Sequence, residues 1–99
     1  MAFVQTITFS TDRMDEMQAL MDRFEQERTD PRPGLVRVTV AKDRDHEGQY
    51  MVIAEFENYE VAMENSARPE TDAFAREMAG LSKGRPTFGN YDVVRVDEG

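Results

Sequence analysis

The one histidine of this 99-residue chain, His46, sits in the run KDRDHEGQ (Lys42–Gln49) beside Asp43, Asp45 and Glu47. Carboxylates crowded around an imidazole are metal ligands by type. Their spacing matches no calcium loop, however, and Asp and Gly are also favoured turn residues. The run therefore reads as a solvated turn. With a single histidine and no cysteine, one chain assembles neither a Ser-His-Asp set nor a zinc site of histidines and thiolates. The glycines show no phosphate-cradling spacing. No metal is expected.

Less reactive residues remain. Arg37 interrupts the apolar run LVRVTVA, where a guanidinium could bind an anionic substrate or pair with an acid across a dimer. Seven methionines suit an adaptable core, and equally a wall against greasy ligands of varied shape. Tyr50, Tyr59 and Tyr91 could donate hydrogen bonds or anchor sheet edges. In ENSARPETDAFA (Glu64–Ala75), Pro69 fits the first turn of a helix, with Glu70 and Asp72 at its positive end. Asn65 is the member of that stretch suspected of facing a ligand. Its amide can hydrogen-bond a carbonyl or phenol, but it cannot act as a base.

The chain as a whole restricts the partners. Its length suits one domain over residues 1–99. Twenty acids against twelve bases give a formal charge of −8, a field that repels phosphate backbones and anionic membranes. Nucleic acid and membrane are thus excluded as partners. Apolar strand character begins at Phe3 with no targeting pattern before it, and no apolar run is long enough to cross a bilayer. A cytoplasmic protein is expected.

The elements that must position these residues follow from periodicity. FVQTITF (Phe3–Phe9) alternates as a strand. Asp12, with Asp15 three residues later, predicts a helix start, and Met14, Met17, Met21 and Phe24 form its buried stripe to about Glu27 or Arg28. DPRPG (Asp30–Gly34) ends it. Leu35–Ala41 and Gln49–Phe56 read as a hairpin. Helical pattern covers Tyr59 to Leu81, interrupted near Arg68-Pro69, and Asn90–Val96 predicts a fourth strand. The order β-α-β-β-α-β predicts a ferredoxin-like α+β sandwich, an antiparallel sheet with its helices on one face.

Such a domain leaves the other sheet face bare. Alternation sets Val4, Thr6 and Thr8 against Phe3, Ile7 and Phe9, and Leu35, Arg37 and Thr39 against Val36, Val38 and Val40. On strand three it sets Val52, Ala54 and Phe56 against Met51, Ile53 and Glu55. The expected open face carries the first-named row of each strand, half apolar, as suits the inside of a dimer.

With PGL (Pro33–Leu35) opening strand two and EFEN (Glu55–Asn58) closing strand three, the chain resembles the antibiotic biosynthesis monooxygenase-like members of the dimeric α+β barrel superfamily. The spacing from there to Pro69 and Phe74 also fits. The resemblance implies a homodimer in which two sheets close into a barrel. Each protomer's pocket is then expected between its open sheet face and its second helical region. Some members of that family oxidise aromatic polyketides without a cofactor, and others degrade haem. Strand three often ends in Trp there, where this chain has Phe56. Asn65 stands where many members carry a His or Trp, and Glu70 where a second His commonly follows the proline. Phe74 takes the place of the haem-ligating His, and Thr6 that of a pocket Asn. Phe cannot ligate iron, so no haem and no other cofactor is expected. The resemblance implies a cofactor-independent monooxygenase for a small apolar or aromatic compound. Thr6, Thr8, Arg37, Val52, Phe56, Asn65 and Phe74 are the pocket candidates. The missing histidines suit the alternative, a non-catalytic dimer that binds a small ligand or a partner.

Overall fold

Strand β1 (Phe3–Ser10) forms because large apolar and smaller residues alternate along it, many of them β-branched or aromatic. The computed structural model describes residues 2–27 and 32–99. After β1 come α1 (Met14–Glu27), β2 (Leu35–Lys42), β3 (Gln49–Phe56), α2 (Tyr59–Ser66), α3 (Pro69–Leu81) and β4 (Thr87–Asp92). The sheet order is β2-β3-β1-β4, and each neighbouring pair is antiparallel. This is the ferredoxin-like α+β arrangement, with the second helical region broken in two before Pro69, as the proline requires. No helix among the described residues is long and apolar enough to cross a membrane.

Local chemistry fixes the helix starts. Asn58 Oδ1 accepts the Val61 N–H at 2.9 Å and caps α2. At α1 it is Thr11, not the expected Asp12, that accepts the Arg13 N–H, at 3.0 Å. The same hydroxyl donates to the Leu81 carbonyl at 2.7 Å, so one buried threonine ties the start of α1 to the end of α3. Asp12 instead pairs with Lys83 across 3.5 Å. The helix α1 is described through Glu27, and its expected end at Glu27 or Arg28, with the Asp30-Pro31 part of the helix stop, falls at or beyond the limit of the described residues. Gly34 has φ +83°, and a β-carbon there would lie 2.3 Å from Val61 Cγ1. Only glycine lets the entry to β2 dock this closely on α2.

The helices cover the sheet face that carries Phe3, Ile7 and Phe9. Their apolar stripes bury two separate clusters. One gathers Phe9, Met17, Leu20, Val52 and Met78; the other gathers Phe3, Phe56 and Ala62. This placement corrects the expected open face on strand three. Val52 and Phe56 are core residues, 8% and 2% exposed, and Ala54 packs with them. Met51, Ile53 and Glu55 take the open side, because Phe56 stands opposite Phe3, and Val52 opposite Ile7. Alternation defines two rows but not which one is inward. On β2 a register shift between Leu35 and Arg37 sends Leu35 inward opposite Phe56, while Arg37 and Thr39 stay on the open side opposite Glu55 and Ile53.

The fourth strand also differs from expectation. It runs Thr87–Asp92 rather than Asn90–Val96. Its partner sets the limit: Asp92 is opposite Phe3, the first residue of β1. One further bond, from Val93 N–H to Ala2 O at 3.0 Å, ends the pairing. The apolar residues Val94 and Val96 continue beyond the sheet, 87% and 71% exposed.

Candidate ligand site between sheet and helices

Val38, Ala54, Gln5 and Asn90 stand side by side across the four strands at mid-height. All four belong to the helix-facing side, because Gln5 lies two residues from both Phe3 and Ile7 and the other three are in register with it. The rungs on either side each hold buried residues, Phe3 and Phe56 on one and Val52 on the other, beside a half-buried Ile7. On the middle rung Gln5 and Ala54 are only half-buried and Val38 and Asn90 are exposed. The middle rung is thus the one without a buried residue, a shallow gap in burial between the two core clusters.

The floor of that gap is polar where it crosses β1 and β4. Gln5 Nε2 donates to Asn90 Oδ1 at 3.1 Å. That bond uses one donor and one acceptor. Gln5 Oε1, its second N–H and both Asn90 N–H groups stay available to water or a ligand. Above the floor, α2 enters over Phe3, whose ring meets Tyr59 edge-on at 5.3 Å. At the far end of the layer, α3 leaves beside Thr11. The two helices α2 and α3 thus begin over one end of the sheet and finish at the other. Asn65 lies one turn beyond Val61 and Ala62, on the sheet-facing stripe of α2. It is half-buried, and its side chain makes no hydrogen bond among the described residues.

An aromatic corner flanks the gap. Phe74 of α3 packs against the larger cluster, and its ring lies 4.7 Å from that of Phe24 on α1. The Arg32 guanidinium stacks 4.9 Å over the Phe24 ring and pairs with Glu25, leaving its side chain 12% exposed. Along the outer edge, a cleft of about 720 Å³ opens between α1 and the β2–β3 pair. It is lined by Met14, Gln18, Met21, Val40, Lys42 and Tyr50. Two of its walls are methionines, soft enough to adapt to an apolar guest.

The seven pocket candidates do not share one cavity, because the sheet divides them. Thr6, Thr8 and Arg37 lie on the open face; Val52 and Phe56 are core, and Phe74 and Asn65 belong to the helical layer. Open face and helices lie on opposite sides of the sheet, so the single chain forms no pocket between them. Arg37 reaches Glu55 across 3.8 Å and is 68% exposed in the single chain. Thr6 faces Gly89, where a β-carbon would lie 2.6 Å from both Thr6 Oγ1 and the Tyr91 hydroxyl. Glycine there lets the Tyr91 ring fold flat over the open face. Sequence reasoning missed Gln5, Asn90 and Arg32. Gln5 had a legible signal, a lone amide in a row of Phe3, Ile7 and Phe9. Asn90 and Arg32 had none, since the first depends on strand register and the second on the docking of a loop.

Acid–base groups are absent from the gap's named residues. His46 Nδ1 sits 3.1 Å from Asp43 Oδ2 in the β2–β3 turn. The Asp45 backbone N–H, and then His46, hold the Asp43 carboxyl below the usual carboxylate range. Among the described residues no cluster of three or more histidines and carboxylates could hold a metal.

Solved structures share this architecture. SnoaB, a cofactor-independent oxygenase from Streptomyces nogalater, superimposes with a TM-score of 0.78 at 20% identity, over 96% of this chain and 95% of that one. A candidate antibiotic biosynthesis monooxygenase from Caulobacter crescentus gives 0.80 at 14% identity, over 95% and 91%. Rv0793 of Mycobacterium tuberculosis gives 0.75 at 14%, over 99% and 98%. No protein-family model and no curated protein matches the sequence. At such identities the likeness establishes the fold, and function must be argued from the site.

Proposed function

We propose that this chain is a cofactor-independent monooxygenase for a small hydroxylated aromatic compound, held between the middle rung of the sheet and the α2–α3 junction. The observation that carries the reading is the set of uncharged amides, Gln5, Asn90 and Asn65, around a half-open gap beside the Phe24–Phe74 pair. Aromatic walls take up a flat ring, and amide N–H groups stabilise the negative oxygen of its enolate or phenolate. The electron-rich carbon of that anion then meets O2. A carbon–oxygen bond forms to give a hydroperoxide, which loses water and leaves a ketone. A ring CH2 becomes C=O and gives up four electrons. One atom of O2 enters the product and the other leaves as water. The chain's part is to bind, orient and exclude solvent. SnoaB shares the fold and is itself a cofactor-independent oxygenase, which fits this reading.

The working unit in this proposal is a homodimer in the cytoplasm, closed through the open sheet faces, where Val4, Ala41, Met51 and Ile53 would otherwise face water. A second reading, a non-catalytic ligand-binding dimer, is favoured by the position of His46, at the β2–β3 turn and without any role in the gap. An oxygen electrode separates the two. With a tricyclic phenolic substrate bearing an acidic CH2, the first reading expects enzyme-dependent O2 uptake that needs no added metal, flavin or haem. Saturable binding without O2 uptake establishes the second reading. Absence of both overturns the site itself.

A further inference from the structure

The reaction proposed above begins with loss of a proton from carbon, and the amides of the gap cannot take one. Along the strands, the helix-facing side of the sheet offers three titratable groups. Lys42 and Tyr50 stand opposite each other at the end beside the β2–β3 turn. Asp92 stands at the other end, opposite Phe3, and is the one carboxylate on that side. It follows Asn90 by two residues, so both side chains leave β4 on one face, about 6.4–6.8 Å apart. Gln5 is its diagonal neighbour on β1, about 7–8 Å away. The backbone is held in place just beyond it, where the Val93 N–H donates to Ala2 O at 3.0 Å. The Asp92 side chain is exposed and makes no hydrogen bond or ion pair among the described residues. Carboxylates of the helical layer are placed differently. Asp72 is engaged by Arg76 at 2.9 Å and Glu77 by Arg23 at 3.0 Å. Glu64 is one residue from Asn65, a step that turns it off the sheet-facing stripe.

We infer that Asp92 is the general base of this reaction. The inference rests on the monooxygenase reading above and supplies the proton acceptor which that reading lacks. With the substrate oxygen held by Gln5 and Asn90, the Asp92 carboxylate takes a proton from the ring CH2. The electron pair of that C–H bond moves into the ring as an enolate, whose negative oxygen stays on the amide N–H groups. The enolate carbon forms a bond to O2 and is oxidised as the oxygen is reduced to a peroxide. That peroxide anion takes the proton back from Asp92 and becomes the hydroperoxide. The regenerated carboxylate then removes the second C–H proton, and its electron pair forms the C=O as the O–O bond breaks. The departing hydroxide and this proton make the molecule of water. Asp92 ends as it began, ready for another turnover.

Asp92→Asn keeps the size of the side chain and removes the base. Dithranol, a dihydroxyanthrone with an acidic ring CH2, serves as the oxidisable probe. Its enzyme-dependent O2 uptake is expected to fall by about 100-fold or more in this variant. Danthron, the matching quinone, has no CH2 left to oxidise and reports binding alone. Its affinity should stay within about twofold of that of the unaltered chain, because proton transfer is not part of binding. In Asp92→Ala, added acetate should restore part of the uptake by filling the vacated place with a free carboxylate. Asp97→Asn, at an acid beyond the sheet, should leave uptake unchanged. Undiminished uptake in Asp92→Asn overturns Asp92 as the base and leaves the monooxygenase reading standing. Loss of danthron binding together with uptake also overturns it, since the residue then holds the ligand instead of moving its proton. Uptake by Asp92→Ala that is indifferent to acetate overturns the proton transfer. An unaltered chain that binds danthron but takes up no O2 with dithranol overturns the monooxygenase reading, and the base with it.

Discussion

Gln5 is an amide on a central strand where its row neighbours are Phe3, Ile7 and Phe9, and its pairing with Asn90 leaves donors and acceptors unspent. If those groups hold a substrate oxygen, Gln5→Leu should weaken binding by about 1–3 kcal/mol, as should Asn65→Leu. The melting temperature should hold or rise for Gln5→Leu, since leucine suits the apolar row. Calorimetric titration beside a thermal melt separates the two effects; unchanged affinity in both variants would remove the amides from the site. At Phe74 the expectation is negative. A phenyl ring stacked on Phe24 donates nothing to iron, so hemin should give no Soret shift that survives gel filtration. Asp43 offers a pH test. Its carboxyl is lowered from 3.8 because the Asp45 N–H, and then His46, favour the charged form. The turn is therefore fully supported above that ordinary value and loosens only as pH falls through the lowered one. The Asp45 amide resonance should titrate below pH 3.8.

Among the elements, the junction at Thr11 joins α1, α3 and the end of β1 through one buried hydroxyl, with the Lys83 N–H reaching Ser10 O at 2.7 Å beside it. Thr11→Val keeps the shape and strands two backbone groups. A loss of about 1–3 kcal/mol is expected, which for a domain near this size lowers the melting temperature by roughly 4–8 °C per kcal/mol. Glu70→Gln touches only the first turn of α3 and should stay well under about 1 kcal/mol. These elements were readable from sequence because their causes are local: the methionine stripe of α1, Pro69 at a helix start, the Gly-containing turn before Gln49. The rows of β3 were not readable. Val52, Ala54 and Phe56 differ too little in polarity from Met51 and Ile53 for alternation to orient them, and only packing against Phe3 and Ile7 decides. The site inherited that ambiguity. Thr6 stood in for a pocket amide, whereas the amide of the proposed site is one residue earlier, at Gln5, on the opposite face. The end of β4 was likewise unreadable, since the length of β1 sets it rather than anything in residues 93–96.

For the whole molecule, charge competes with association. Each chain carries −8 and has a radius of gyration of 13.8 Å, so the centres of a pair stand roughly 25 Å apart. Treated as screened point charges, that pair repels by on the order of 4–5 kcal/mol at 10 mM salt and by less than about 1 kcal/mol at 150 mM. Exposed ion pairs weaken with the same salt, but by a fraction of that amount each. Long-range repulsion wins. The proposed dimer should therefore tighten as ionic strength rises, and sedimentation at the two salt concentrations measures it. A dimer that loosens instead would show that ion pairs across the interface outweigh the net charge. Melting temperature should also rise with protein concentration, as for any folded state that gains from a partner.

The ring of Tyr91 lying over Gly89 gives the molecule a built-in optical reporter. The chain has no tryptophan and three tyrosines, so ultraviolet emission comes from tyrosine alone. Tyr50 is stacked on Phe9 and Tyr59 is edge-on to Phe3, both on the helix side of the sheet. Tyr91 is the one on the open face, and it is 57% exposed in a single chain. Closure of two sheets would move only this fluorophore out of water. Emission and its quenching by iodide should then change on dilution in step with sedimentation, and Tyr91→Phe should silence the change without abolishing the assembly.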